Sequence, residues 1–278
     1  VFNLLFAFFP PWVLFFFFYF SNWLRVFIFP LAPPSLSTRT VWEPVMTMLA
    51  LKNVSKSFGA LKVTDDVSFD VPEGQALGII GPNGAGKSTL FNLITGNLPA
   101  DKGSIHFADQ DVTRVPAMQR CISGVGRSFQ IPQPFTHLTV YENLLVAATH
   151  GRRRSEAEVM RQCAVILERT ELIHRANQTS GSLSLLERKR LELARAMATH
   201  PNLLLLDEIA GGLTEGECHA LVQTIKSIHA EGVTIIWIEH VLHALTSVVD
   251  RLLVLDFGKV IGIGDPDTIM ESKEVKEI

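Results

Sequence analysis

One nine-residue run restricts this chain more than any other feature. It reads Gly81-Pro82-Asn83-Gly84-Ala85-Gly86-Lys87-Ser88-Thr89 and matches G-x-x-x-x-G-K-[ST] in full. A short apolar run, Ala76 to Ile80, leads into it, and a helical pattern over 87–95 leads out. Gly84 and Gly86 let the backbone turn tightly, so that successive N–H groups face one anion. The helix N-terminus adds partial positive charge at the same place. Lys87 is then within reach of terminal phosphates, and the Ser88 hydroxyl can ligate Mg²⁺. The expected ligand is a nucleoside triphosphate.

The surrounding pattern is that of a wound α/β sheet. Val67, Phe69 and Val71 alternate with polar neighbours, as in a strand with one solvated face. The apolar runs 76–80, 203–206 and 233–238 suit strands buried on both faces of a parallel sheet. Helices are expected over 87–95, 139–149, 155–171, 184–198 and 215–230. Strands and helices alternate, which puts ligands at the C-terminal ends of the strands. The leucines 203–206 run into Asp207-Glu208. Neighbours on a strand point to opposite sides, so Asp207 is free to support Mg²⁺ while Glu208 turns toward an attacking water.

Composition removes several alternatives. Lys and Arg number 25 against 28 Asp and Glu, which argues against a nucleic-acid binder working by bulk positive charge. The 47% apolar content excludes global disorder. Cys121, Cys163 and Cys218 are too scattered for a disulfide framework or a cysteine-based metal site, and read as reduced thiols. The composition is also uneven: 11 of the 18 phenylalanines fall within residues 1–30. Residues 12–29 are almost continuously apolar, which is at the lower limit of about 18 residues for a membrane-spanning helix. A secretory signal is rejected for want of a basic start and a small-residue cleavage site. Residues 1–46 are expected to be an upstream apolar extension and Pro/Ser/Thr linker to a protein starting near Met46, in preference to a membrane anchor.

The order of the phosphate cradle, Gln130, Ser184, Asp207-Glu208 and His240 resembles that of an ABC transporter's ATP-binding subunit, over about residues 49–275. The resemblance implies a P-loop ATPase fold over 47–278: a mostly parallel core sheet, an antiparallel β portion and a helical subdomain at about 131–198. It implies ATP and Mg²⁺ as ligands. Gln130 stands where the family has a glutamine that senses Mg²⁺ and the transmembrane partner. His240 stands where a histidine contacts the γ-phosphate, and Phe58 where an aromatic ring stacks on adenine. Glu208 would be the catalytic carboxylate, with Ser88, Gln130 and Asp207 about the metal. Ser184 would meet the γ-phosphate bound by a second subunit, so a homodimer or a dimer with a paralogue is implied.

The sequence also departs from the family. The signature serine is followed by Leu185-Leu186 where two glycines are usual, and Ser184 with Glu187 doubles as a helix capping box. Ile209 and Thr214 replace a common Pro and Asp in the loop after the acids. The strings at 124–148, 187–208 and 236–242 resemble the ATPases of branched-chain amino acid importers. That likeness implies transmembrane permease subunits docking on 131–146 through Ile131, Phe135, Leu138 and Tyr141. It also implies a periplasmic solute-binding protein as an indirect partner, no nucleic acid, and a position on the cytoplasmic face of the plasma membrane through the permease. The rival readings are an ATPase of lipopolysaccharide export and an ATP-binding regulatory or non-transport ABC protein with weak hydrolysis.

Overall fold

The computed structural model describes residues 46–151 and 156–276, all within the unit Pro44–Ile278. The apolar extension expected before Met46 lies outside the described residues. Among the described residues no helix is long and apolar enough to cross a membrane.

The chain opens with β1 (Thr47–Phe58), β2 (Leu61–Pro72) and β3 (Ala76–Ile80). Then follow α1 (Lys87–Thr95), β4 (Lys102–Phe107), β5 (Gln110–Asp111), α2 (Ala117–Ser123) and β6 (Val125–Arg127). A helical stretch comes next: α3 (Val140–His150), α4 (Glu156–Arg169) and α5 (Leu185–Ala198). After it come β7 (Leu203–Asp207), α6 (Glu215–Ala230), β8 (Thr234–Ile238) and α7 (Leu242–Thr246). The described chain closes with β9 (Arg251–Asp256), β10 (Lys259–Gly264), α8 (Pro266–Glu271) and α9 (Lys273–Lys276).

Two sheets form. The larger has the order β10-β9-β3-β8-β7-β6; its five strands from β9 to β6 are parallel, and β10 is antiparallel at one edge. The smaller, β2-β1-β4-β5, is antiparallel. This is the α/β architecture expected, with a mostly parallel core sheet, an antiparallel portion, and α3, α4 and α5 packed on one another.

The buried strands explain where the site falls. In β7, Leu203 and Leu205 enter one apolar cluster and Leu204 and Leu206 the other. β8 splits the same way, with Ile236 and Ile238 on one face and Ile235 and Trp237 on the other. The first face packs against α1 and the antiparallel sheet, and the second against α5 and α6. Each fully buried side chain of this size contributes about 1.5–3 kcal/mol. With both faces covered, the strand ends are the places where polar groups can gather.

Several elements were not legible in the apolar pattern. β1 carries register shifts against β2 and a left-handed Asn53 (φ 53°), which break its alternation. α2 has only seven residues and no side-chain cap. Its Arg120 is buried and donates to the carbonyls of Leu93 and Ile94 at the end of α1, at 2.8 Å each. α4 stops at Arg169, short of the expected 171, because Glu171 is left-handed (φ 56°). The helices expected from 139 and 184 begin one residue later, since Thr139 and Ser184 serve as their N-caps.

Candidate functional site

The cradle lies between β3 and α1. Gly81 and Gly86 are required there sterically. A Cβ on Gly81 would stand 1.9 Å from the Leu255 carbonyl oxygen, and one on Gly86 2.4 Å from that of Val63. Gly86 (φ 102°) is the N-cap of α1, so the helix points its free N–H groups into the loop. Lys87 is 6% exposed, and its Nζ donates to the carbonyls of Gly81 at 2.6 Å and Pro82 at 3.0 Å. Burial lowers its pKa, and the carboxylates of Glu208 and Asp207 oppose that shift. Ala85 is buried and Thr89 half-buried, whereas Asn83, Gly84 and Ser88 are exposed at the mouth.

The end of β7 supplies the acids. Asp207 is buried, and its Oδ2 lies 2.6 Å from Arg127 at the end of β6. The Arg127 guanidinium also donates to Asn92 on α1 at 2.6 Å, and sits 5.5 Å and 5.0 Å from the ring centres of Phe91 and Phe129. Glu208 is left-handed (φ 46°), a strained state for a side-chain-bearing residue that costs about 1–3 kcal/mol. Its N–H donates to Ile238 at 2.8 Å and its carbonyl accepts from Lys189 at 3.2 Å. Its carboxylate accepts from the Gln130 amide and lies 3.1 Å from His240 Nε2.

Gln130, Glu208 and His240, distant in sequence, therefore meet around one carboxylate. His240 is placed by Glu239, which is 1% exposed and accepts from the backbone N–H groups of His240 at 2.9 Å and Ala210 at 3.0 Å. Phe58 is a half-exposed ring at the β1–β2 turn, in the hairpin whose Val63 carbonyl faces Gly86. Ser184 joins none of these contacts. Its hydroxyl accepts from Glu187 N–H at 3.3 Å, and Glu187 accepts from Ser184 N–H at 2.9 Å. A Cβ on Gly212 would be 3.4 Å from Leu185 Cδ2, so the leucine that replaces the usual glycine borders the loop after Glu208. Thr214 caps α6 with Glu217.

A family profile described as ABC transporter matches residues 64–211. The chain belongs to the ABC transporter family. A probable branched-chain amino acid transport ATP-binding protein of Methanocaldococcus jannaschii is 35% identical over 231 residues, covering 79% of this chain and 90% of that protein. A high-affinity branched-chain amino acid transport ATP-binding protein of Pseudomonas aeruginosa is 35% identical, covering 82% and 95%. Among solved structures, a nucleotide-free ATP-binding cassette from an ABC transporter superposes with a TM-score of 0.77 at 33% identity, covering 84% of this chain and 98% of the other. The ADP conformation of an ATP-binding cassette matches equally well, with a TM-score of 0.77.

Within this ABC cassette, the sequence left four residues of the site unassigned: Asn92, Arg127, Lys189 and Glu239. Polar and charged residues inside helical or strand-flanking segments ordinarily read as solvated, and nothing local marks Lys189 and Glu239 as buried or Asn92 and Arg127 as linked to Asp207. The position of Arg127 in the run Gly-Arg-Ser-Phe-Gln, three residues before Gln130, and that of Glu239 immediately before His240 hint at a role.

Proposed function

We propose that this ABC cassette binds ATP with Mg²⁺ and hydrolyses it to drive a membrane transporter. The observation that carries the reading is the meeting of Gln130, Glu208 and His240 at the strand ends beside the cradle. Phosphate oxygens take the N–H groups of residues 83–88, and Lys87 turns from the Gly81 and Pro82 carbonyls toward them. Phe58 offers its exposed ring to the adenine. Ser88, Gln130 and Asp207 would hold Mg²⁺; hydroxyl, amide and carboxylate oxygens suit a hard cation. The ion would neutralise phosphate charge.

The protein's own groups account for the rest. Gln130 and His240 both contact the Glu208 carboxylate. When those two turn to the nucleotide, the carboxylate is released to orient a water and accept its proton. Hydrolysis then reopens a dimer in which Ser184 of each copy caps the other copy's nucleotide.

By likeness to its relatives, the transporter takes up branched-chain amino acids or a related small organic solute. The permease would dock on residues 131–146, where Ile131 and Phe135 are exposed and Leu138 and Tyr141 half-buried. Attachment to the cytoplasmic face of the membrane would run through that permease, and a periplasmic solute-binding protein would deliver the solute. The test is Glu208→Gln in the assembled transporter. ATP binding should persist while hydrolysis falls by about 100-fold or more. Equal rates in variant and wild type would refute the reading.

A further inference from the structure

Lys189 lies on the first turns of α5, five residues beyond the capping Ser184, and is only 4% exposed. Its ammonium group does not pair with a single carboxylate. Instead Nζ donates to two backbone carbonyls, that of Gln130 at 2.7 Å and that of Glu208 at 3.2 Å. One belongs to the loop after β6 and the other to the end of β7. Both residues also contribute their side chains to the site, and those side chains touch each other. The Glu208 peptide that Lys189 holds is the left-handed one, and the bond from Lys189 joins that from the Glu208 N–H to Ile238 in restraining it.

The same face of α5 continues this pattern. Glu192, one turn on, is buried; burial raises its pKa, while Arg195 and the N–H groups of Phe129 and Gln133 favour its charged form. Arg195 donates to the Gln133 carbonyl at 2.9 Å and lies 5.4 Å from the Phe135 ring centre. Positions 189, 192 and 195 share one helix face by their spacing. They meet the loop 129–135 largely through its backbone. The groups around the Lys189 ammonium are the carboxylates of Glu239, Glu208, Asp207 and Glu192, so its charge is balanced without a dedicated ion pair. A lysine serving only to fill space would not need to reach two carbonyls on separate elements.

We infer that Lys189 is a positioning residue for hydrolysis: by bridging the peptide carbonyls of Gln130 and Glu208, it makes the two residues move together with α5. A shift of α5, which begins at Ser184, is thereby passed to the amide and the carboxylate at once. The inference rests on the reading of Glu208 as the hydrolytic carboxylate.

The experiment compares wild type, Lys189→Met and Lys189→Arg. Methionine keeps the apolar stem without a donor, and arginine keeps donors for both carbonyls. Lys189→Met should leave ATP affinity within about twofold while lowering kcat in the assembled transporter about ten- to a hundredfold. Lys189→Arg should recover most of that loss. Hydrogen exchange on the nucleotide-free full chain should quicken over 128–134 and 207–212 in Lys189→Met, and stay as in wild type over β3. If Lys189→Met does not fold, Lys189→Gln, which loses the charge and the reach, should give the same split. Parallel loss of binding and turnover would mark Lys189 as merely structural and overturn the inference. Unchanged exchange at both segments overturns it alone, leaving the functional reading intact. Absence of hydrolysis by the wild-type transporter overturns the functional reading, and this inference with it.

Discussion

Replacing Lys87 by methionine keeps a side chain of similar length and removes only the ammonium group. Lys87 is buried, and its ammonium group donates to the carbonyls of Gly81 and Pro82. On the proposed reading, binding of ATP exchanges those partners for phosphate oxygens. Hydrogen bonds from a charged donor are worth about 1.5–3 kcal/mol each; two to anionic phosphate at the upper end, less two to neutral carbonyls at the lower end, leave roughly 2–3 kcal/mol. At about 1.4 kcal/mol per decade, the dissociation constant for ATP should rise about 30- to 150-fold. The carbonyls left behind belong to half-exposed residues and can take water. Stability without nucleotide should therefore change by no more than about 1 kcal/mol. Calorimetric titration of the purified chain with ATP and magnesium measures the first quantity, and urea denaturation the second. A Met variant that binds ATP within about threefold of wild type would refute the placement of phosphate at this loop.

Two other outcomes follow from the ion pairs and caps. Arg127→Met leaves the buried Asp207 carboxylate without its partner, so the folded state should lose about 3–5 kcal/mol in urea denaturation, and adding Asp207→Asn should recover part of it. Glu142 and Glu217 have pKa values below the usual 4.5 through bonds from Thr139 and Thr214. Burial of Glu187 opposes ionisation, but bonds from Ser184 and Arg175 outweigh it and lower that pKa too. A depressed folded pKa means the stabilisation is complete above about pH 4.5 and is lost as pH falls through the folded values. Replacing the three glutamates by glutamine should flatten the acid limb of a denaturation-midpoint curve, and an unchanged limb would contradict the assignment.

The Gly81–Thr89 loop was readable because its features are local. Three closely spaced glycines, a lysine and a helix start fall within nine residues. The β7 acids were readable for a similar reason, since four leucines announce a buried strand and the carboxylates mark its end. The Ser184 cap was equally local, because its partner is three residues away. β1 was harder, since a left-handed Asn53 and register shifts erase its period. The contact of Glu208 with Gln130 and His240 depends on the order of strands in the sheet, which no nearby residue encodes.

Short-range chemistry, then, was enough to name the class of ligand expected at the loop and the α/β fold, while Gln130, His240 and Phe58 were picked out through the family resemblance. Long-range packing gave Arg127, Lys189 and Glu239 their partners. A charged side chain reads as a surface residue until the fold brings a ring, a carbonyl or a backbone N–H to meet it. The left-handed turn at Glu208 is of the same kind. Nothing in a glutamate favours that conformation, and it persists because Ile238 and Lys189 hold the peptide from two sides.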